Sequence, residues 1–493
     1  MISVQNLLQP LNGNKSLTLL LVICVCSLSS CELFRKAQGD KDVTEIGETL
    51  DPISGRKVFD PETGTYVIIE DTTPSEKMDT IVWKEIPTSS YPPITSDGVD
   101  LGGSGNPTDV IRTDNIGSEF LSSYNISLIL PFLTDRFSPT APSIYENSLW
   151  ALNFYSGAKL ALDLLSSEGV KINLSVLDTK ASPSVMTGML RNNNDLNRAN
   201  LIIGPYRREN VGLVADAVRT RDQVLVSPHS AATGIVGQNP NYIQVNPTLQ
   251  THSEAIMRHA LQHFRPEQIV LVSRARDPER ERLAYFYNEY KKVTGSMDTT
   301  RLQELIISDE TASLENIEVL PFIELGDTTV FIIPSWSETF VYSLLRKIDT
   351  SKEPTDQIYV YGMPQWMQFE RIDYSYYEKL NVRISTSSFV DPLSPQIQLF
   401  QRQFYDRFGA TPTEEAYLGY DVVLYFGRML NKYGTKFQYS MEKDPQSMLL
   451  TRFDFERVVA PTTTGVEFGP IQKFENKYVN IVKFQDYQFQ VDN

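Results

Sequence analysis

The sequence predicts an α/β protein whose folded body has two lobes, each an open parallel sheet flanked by helices. Between residues 124 and 246, short apolar runs alternate with segments of helical period, and the alternation restarts at residue 251. Continuous apolar runs between amphipathic helices are typical of parallel strands covered on both faces. With 493 residues, the chain is long enough for two such cores and an additional N-terminal segment.

The N-terminal residues predict export and attachment to a lipid. Lys15 precedes an apolar run, Leu17 to Cys26, that is too short to span a bilayer and fits a signal-peptide core. The sequence LSSC at positions 28–31 resembles the lipobox of bacterial lipoproteins. This resemblance implies that residues 1–30 are removed and that Cys31 carries the lipid. An ordinary secretory peptide with an unrelated cysteine is the alternative.

Composition excludes several classes of site and partner. The three cysteines, Cys24, Cys26 and Cys31, lie in or at the end of the leader, so we expect no disulfide and no cysteine–metal site in the body. A net charge of −16 disfavours binding to nucleic acid. No later apolar run is long enough to cross a membrane.

Residues 31–120 are predicted to form a low-complexity, disordered tether rich in Asp, Thr, Pro, Ser and Gly. They contain a short repeat, DPISGRKV at 51–58 and DPETGTYV at 60–67. Asp-Pro followed by Ser/Thr-Gly is turn chemistry, and Ile68-Ile69 extend the second copy, which predicts one or two short hairpins. A spacer with local turns is the favoured interpretation, and a partner-docking element is the alternative.

The folded body, 121–493, is predicted from its alternating elements. Four apolar runs, at 125–132, 172–178, 199–204 and 223–228, predict the strands of the first unit, with helices between them. The second unit alternates helices at 251–264, 282–293 and 338–348 with strands at 268–273, 327–334 and 357–362.

Several stretches, in order, resemble the type I periplasmic binding fold of the leucine/isoleucine/valine-binding proteins. They are ISLILPF at 126–132, NFYSGAKLALDLL at 153–165, LIIGP at 201–205, VLVSPHSAAT at 224–233, the helix pair at 404–426 and TTTGVEFGPIQKFENKYVN at 462–480. The resemblance implies two hinged lobes around a ligand cleft. It places lobe 1 at about 121–246 and 385–458, and lobe 2 at about 247–384 and 459–493.

The stretch ANLIIGPYRREN, 199–210, predicts an anion-binding feature at this cleft. Ligands of open parallel sheets bind at the carboxyl ends of strands, and a helix N-terminus favours negative charge. Of the adjacent pair Arg207 and Arg208, we expect one in the cleft and prefer Arg207; pairing with Glu209 or Asp216 on a solvated face is the alternative. Candidate ligand-binding residues are Tyr206, Arg207, His229, Ser230, Ala231, Thr233, Trp336 and Trp366.

The resemblance also argues against one class of ligand, the ordinary α-amino acids. Relatives hold the α-ammonium of an amino acid with a serine after the third strand and with aromatic and acidic groups in the second lobe. Here Tyr206 and Arg207 occupy the first position, the segment RARDPERER at 274–282 has no aromatic residue, and Gln365 and Trp366 follow the last strand. An ordinary α-amino acid is therefore a poor candidate.

No catalytic, metal or cofactor site is predicted. SGAK at 156–159 matches the Ser-x-x-Lys of penicillin-recognising enzymes, but the chain has no Lys-Thr-Gly or Ser-Asp-Asn to complete it, and small residues there suit helix packing. His252, His259 and His263 share a helical face, and the last two have metal-pair spacing. However, Ala260 replaces the glutamate that follows the first histidine in zinc proteases, so a polar face is favoured over a metal site.

Two functions remain open at this point. The first is a lipid-anchored solute-binding protein that traps a small anionic or polar ligand and passes it to a membrane permease. The second is an outer-membrane lipoprotein that uses the same fold as an interaction module in an envelope complex, as in the activators of penicillin-binding proteins. The long tether and Glu32, which replaces the aspartate linked to inner-membrane retention, favour the outer membrane.

Overall fold

The computed structural model describes residues 55–60, 65–70, 117–137, 144–235, 237–297, 299, 301–308, 317–460 and 469–492. The predicted leader, residues 1–30, the predicted lipidation site Cys31 and most of the predicted tether lie outside these ranges. Within the tether, 55–60 and 65–70 pair as antiparallel strands in the register Asp60↔Thr65. These paired strands agree with the hairpin predicted within the repeat.

The strands follow the predicted apolar runs and add several near the C-terminus. In chain order they are β1 Gly55–Asp60, β2 Thr65–Glu70, β3 Tyr124–Leu130, β4 Ile172–Asp178, β5 Leu201–Ile203, β6 Val224–Ser227, β7 Tyr242–Gln244, β8 Ile269–Arg274, β9 Gln303–Ile307, β10 Thr328–Ile332, β11 Gln357–Gly362, β12 Val382–Thr386, β13 Gln446–Ser447, β14 Arg452–Phe453, β15 Phe455–Val459, β16 Ile471–Asn476, β17 Asn480–Gln485 and β18 Gln488–Val491.

The helices lie between these strands, as the alternating pattern predicts. They are α1 Leu149–Ser167, α2 Pro183–Asn192, α3 Asn194–Asn197, α4 Arg208–Val218, α5 Leu249–His263, α6 Asp277–Thr294, α7 Glu338–Ser351, α8 Tyr374–Lys379, α9 Pro395–Phe408 and α10 Glu414–Tyr433. Local signals set their limits: α6 has proline in its first turn, and Gly295 ends it in the left-handed conformation.

Two seven-stranded sheets form the two lobes. The first has the order β15-β16-β7-β6-β5-β3-β4, and the second has the order β18-β17-β12-β11-β10-β8-β9. The inner strands pair in parallel, for example β3 with β5 and β10 with β11. Strands such as Leu201–Ile203 are buried along their whole length, because helices cover both faces. The expected two-lobed α/β architecture is confirmed.

Two details of the sheets differ from the sequence-based expectation. The sheets are mixed rather than purely parallel, since β15 joins the first sheet antiparallel and β17 and β18 join the second antiparallel. Only two residues, 486 and 487, join β17 to β18, which leaves no room for a crossover helix and makes this pair antiparallel. In addition, β16 pairs with β7 in the first sheet, so the predicted assignment of 459–493 to lobe 2 is wrong for 471–476. The chain crosses into the second sheet only after Asn476.

Close packing of α1 against α10 connects distant parts of the chain in lobe 1. A Cβ on Gly157 would lie 1.8 Å from the carbonyl oxygen of Ala416, and one on Gly419 would lie 2.0 Å from that of Phe154. The two helix backbones therefore touch through glycine. The Ser-x-x-Lys match at 156–159 lies in this packed region, which agrees with a structural role for its small residues.

Each lobe has its own apolar core. In lobe 1, α1 and α10 cover one face of the sheet and α4 covers the other. In lobe 2, the core extends from the strands to α5, α6 and α7 and includes the fully buried Trp366. Among the described residues, no helix is both long and apolar enough to cross a membrane.

Candidate functional site

A cavity of about 800 Å³ opens at the carboxyl ends of three neighbouring strands of lobe 1. Leu133 lies beyond β3, Lys180 beyond β4 and Arg207 beyond β5, and α1 contributes Trp150 and Asn153. Loops after parallel strands meet at one edge of a sheet, which is where open α/β sheets bind ligands. The remaining lining residues are Pro131, Arg136, Tyr145, Glu146, Asn147, Leu149, Ala181, Tyr206, Thr413 and Glu415.

Asp178, at the end of β4, fixes two of the lining loops. Its carboxylate accepts hydrogen bonds from the backbone N–H groups of Leu133 and Lys180 at 3.1 and 2.8 Å, and from Thr134. Burial raises the pKa of Asp178, but these hydrogen bonds outweigh burial and leave the pKa below its usual value. Leu133, Lys180 and Ala181 all have positive φ angles between 47° and 54°. Such conformations cost energy outside glycine and concentrate where a loop is held for binding.

Gly204 and Pro205 deliver the next two residues to the cavity. Gly204 has a φ of +103°, and a Cβ there would lie 2.2 Å from the carbonyl oxygen of Ile129, so only glycine fits. The Gly204–Pro205 peptide bond is cis. The chain then turns into α4, for which Arg207 is the N-cap residue without a side-chain capping bond.

The structure separates the two adjacent arginines. Arg207 lines the cavity, whereas Arg208 is not among the lining residues. Within the described part of the chain, the Arg207 side chain makes no hydrogen bond or ion pair. The alternative partner Asp216 pairs instead with Arg219 at 2.6 Å. Arg207 therefore keeps its guanidinium donors available to a ligand.

Two aromatic rings, those of Trp150 and Tyr206, line one wall of the cavity, and the ring of His229 packs against both without lining it. The ring of Trp150 lies 4.6 Å from that of Tyr206 and 4.8 Å from that of His229. Burial lowers the pKa of His229 to about 4, against the attraction of Glu415, so its imidazole is neutral at pH 7. Its buried Nε2 has no hydrogen-bond partner in the described structure. His229 lines instead a smaller cavity of about 190 Å³, to which Glu415 also contributes.

The cavity carries both charge signs. Arg136, Lys180 and Arg207 supply three positive charges, and Glu146 and Glu415 supply two negative charges. The nearest carboxylate to Arg136 is that of Asp135, at 3.9 Å on the exposed side. The arrangement can hold an anionic group at the arginines while the aromatic wall packs against a flat or apolar portion.

The SAAT turn does not line this cavity. Ser230 is half-buried, and its Oγ accepts a hydrogen bond from the Ala232 N–H at 3.4 Å. Ala231 is exposed. Thr233 lines a separate cavity near the connection between the lobes.

Neither predicted tryptophan contributes to the 800 Å³ cavity. Trp366 is fully buried in the core of lobe 2, and its indole N–H donates to the Ser335 carbonyl at 2.8 Å. A Cβ on Gly362 would lie 2.4 Å from this indole, so the indole packs directly over the last residue of β11. The prediction of Trp366 as a ligand platform is wrong. Trp336 is covered by Arg282, whose guanidinium carbon lies 4.2 Å from the indole centroid.

Sequence reasoning missed Trp150, which lines the cavity and whose ring contacts those of Tyr206 and His229. The available signal was its position in the first turn of the helix after β3, next to the carboxyl edge of the sheet. Sequence reasoning also missed Arg136 and Lys180. The available signal was similar, because each residue follows a predicted strand within a few positions.

The histidines of α5 have structural partners. His259 Nδ1 lies 2.8 Å from the Tyr361 hydroxyl, and the rings of His259 and His263 stack at 4.4 Å. His252 Nδ1 lies 3.1 Å from the Ser385 hydroxyl. Among the described residues, no group of three or more His, Cys, Asp or Glu side chains is arranged to hold a metal ion.

Comparison with known proteins identifies the fold. No family model and no curated sequence matches the chain. A branched-chain amino acid ABC transporter structure from Rhodospirillum rubrum superimposes with a TM-score of 0.55 at 14% identity, covering 75% of this chain and all of the other.

Two further structures are also similar. An ABC transporter substrate-binding protein from Desulfitobacterium hafniense has a TM-score of 0.49 at 16% identity, with coverage of 74% and 99%. Full-length LpoA from Haemophilus influenzae has a TM-score of 0.48 at 14% identity, with coverage of 78% of this chain and 61% of LpoA. Together with the two sheets and the order of their strands, the similarity to the Rhodospirillum protein shows that this chain has the type I periplasmic binding fold.

Proposed function

We propose that this protein is a lipid-anchored envelope protein without catalytic activity that binds a small anionic or polar solute for a transport system. The observation that carries the proposal is Arg207, which lines a cavity of about 800 Å³ with no partner in the described structure. A guanidinium at this position can bind a carboxylate or phosphate in bidentate fashion. A membrane permease would receive the solute.

The aromatic wall and the charge pattern narrow the class of solute. Trp150 and Tyr206 offer a packing surface beside the arginine, which suits an anion with a flat or apolar portion. In lobe 2, Arg274, which is paired with Glu279, ends the strand after which amino-acid-binding relatives carry a tyrosine. A carboxylate or phosphate compound other than an ordinary α-amino acid is the proposed ligand.

The test is a thermal-shift panel of carboxylates, phosphates and cell-wall peptides. A ligand that binds the native state raises the melting midpoint. Arg207→Ala should weaken binding roughly 10- to 100-fold, since hydrogen bonds to charged groups contribute about 1.5–3 kcal/mol. Arg208→Ala is the matched control, because it removes the same charge from the neighbouring position outside the cavity. Equal responses from the two variants, or no response to any anion, would sink the proposal.

One observation favours the alternative, an outer-membrane interaction module that activates cell-wall synthesis. Tyr145, Leu149 and Tyr206 line the cavity and remain between 41 and 48% exposed. Large exposed apolar side chains around a concavity are typical of protein-recognition surfaces. Stabilisation by cell-wall peptides alone, with cell-wall genes next to this gene in place of permease and ATPase genes, would favour this alternative.

A further inference from the structure

A second cavity, of about 390 Å³, lies where the chain crosses between the lobes. Lobe 1 contributes Tyr242 and Lys473, lobe 2 contributes Gln250 and Tyr285, and Lys477 lies in the crossing itself. This cavity shares no lining residue with the 800 Å³ cavity. Its walls therefore belong to both lobes, and its chemistry is independent of Arg207.

The charged residues that line this hinge cavity leave an excess of one positive charge. Lys473 and Lys477 lie 2.8 and 3.4 Å from one oxygen of Glu475. The other oxygen accepts hydrogen bonds from Thr248 and Thr251 at 2.7–2.9 Å. Burial raises the pKa of Glu475, but the two ammonium groups outweigh burial and bring the pKa to about 2. One carboxylate thus faces two cations among the lining residues.

Hydrogen-bond donors remain available in the same cavity. Each lysine ammonium has three N–H bonds. Lys473 uses one for Glu475 and one for Gln244 at 2.8 Å, and Lys477 uses one for Glu475 and one for Thr251 at 3.0 Å. The Tyr242 hydroxyl makes no hydrogen bond within the described structure, although the residue is only 1% exposed. The Ser227 hydroxyl is a polar neighbour of the Tyr242 hydroxyl, and an oxyanion in the cavity would give that buried donor an acceptor in good geometry.

We propose that the hinge cavity binds a small carboxylate or phosphate monoanion through Lys473, Lys477 and the Tyr242 hydroxyl. The single excess positive charge matches one negative charge, and the donors match an oxyanion. Because the cavity walls come from both lobes, the bound anion stabilises one arrangement of the lobes over others. The anion therefore regulates closure without occupying the solute cavity.

The experiment compares sodium acetate, sodium phosphate and sodium chloride at equal ionic strength, with the melting midpoint as the readout. We expect acetate or phosphate to raise the midpoint more than chloride in the wild type. Arg207→Ala should respond like the wild type, which separates this site from the solute cavity. Lys477→Met should weaken the apparent affinity at least about tenfold, as expected for a charged hydrogen bond. Lys171→Met, an exposed lysine away from the cavity, is the control and should keep the response.

Three results would overturn the proposal. They are an equal effect of chloride, an unchanged response in Lys477→Met, and loss of the response in Arg207→Ala. Tyr242→Phe provides a second variant that removes one hydroxyl and keeps the ring in the core. If Lys477→Met does not fold, an unchanged response in Tyr242→Phe would itself contradict the proposal.

Discussion

Glu475 offers the sharpest test of how the lobes are joined. Its side chain is 2% exposed and holds Lys473, Lys477 and the first turn of α5. Glu475→Gln keeps the shape and removes the charge. The pKa of this carboxylate falls from 4.5 to about 2 on folding. Since one pKa unit corresponds to about 1.4 kcal/mol, the charged form contributes ~3 kcal/mol, and we expect a loss of that size at pH 7.

The sign of the pH dependence follows from the lowered pKa. The stabilisation is fully present above pH 4.5, the unfolded value, and is lost as the pH falls towards 2. Urea unfolding of the wild type and of Glu475→Gln at pH 7 and at pH 3 measures this contribution to the free energy of unfolding. The difference between the wild type and Glu475→Gln should shrink to roughly half at pH 3, because the wild type has by then lost part of this contribution.

A matched control lies on the neighbouring strand. Glu456 is directly opposite Glu475 in the β15–β16 pair and is exposed, so Glu456→Gln should change stability by less than ~0.5 kcal/mol. A loss below ~1 kcal/mol in Glu475→Gln at pH 7 would refute the reasoning, since a buried carboxylate between two lysines should matter more. A difference that stays constant between pH 7 and pH 3 would refute it equally.

Three further outcomes are expected. Cys31→Ala should release the protein from membranes without unfolding the body, and a variant that still sediments with membranes in high salt would place the anchor elsewhere. Gly157→Val should lower the free energy of unfolding in urea by at least ~2 kcal/mol, because its Cβ would overlap the Ala416 carbonyl. Gly188 lies on a helix with open space around it, so Gly188→Ala should raise that free energy by roughly 0.5–1 kcal/mol. Chelator should leave the melting midpoint unchanged, since the described residues hold no metal cluster, and a large drop would point back to His259.

Much of the fold can be predicted from the spacing of hydrophobic residues, because buried parallel strands and amphipathic helices have distinct sequence patterns. The position of Arg207 was predictable on the same basis, since the carboxyl end of a central strand and a helix entrance are both visible in the sequence. The boundary error at 471–476 has a physical cause. Only three residues, 477–479, separate β16 from β17, yet the two strands enter different sheets, so the local pattern does not identify the partner strand.

Side-chain direction explains the errors at the site. Trp366 follows the end of β11 closely in the sequence, but Gly362 allows its indole to fold back into the core. Trp150 contacts Tyr206 and His229 only because α1 lies over the carboxyl edge of the sheet. Such contacts depend on the packing of distant elements, which local sequence patterns do not encode.

The close contact between α1 and α10 has a consequence for how the protein reaches its location. Arg428 on α10 donates to Glu168 just beyond α1 at 3.0 Å, across 260 positions of sequence that include lobe 2 from α5 to β12. Closing so long a loop costs entropy before the contact forms, and domains dominated by such non-local contacts fold slowly. We therefore expect lobe 1 to remain open while lobe 2 folds. If the chain is exported, as proposed above, slow closure of lobe 1 would keep it unfolded enough to pass through a secretion channel.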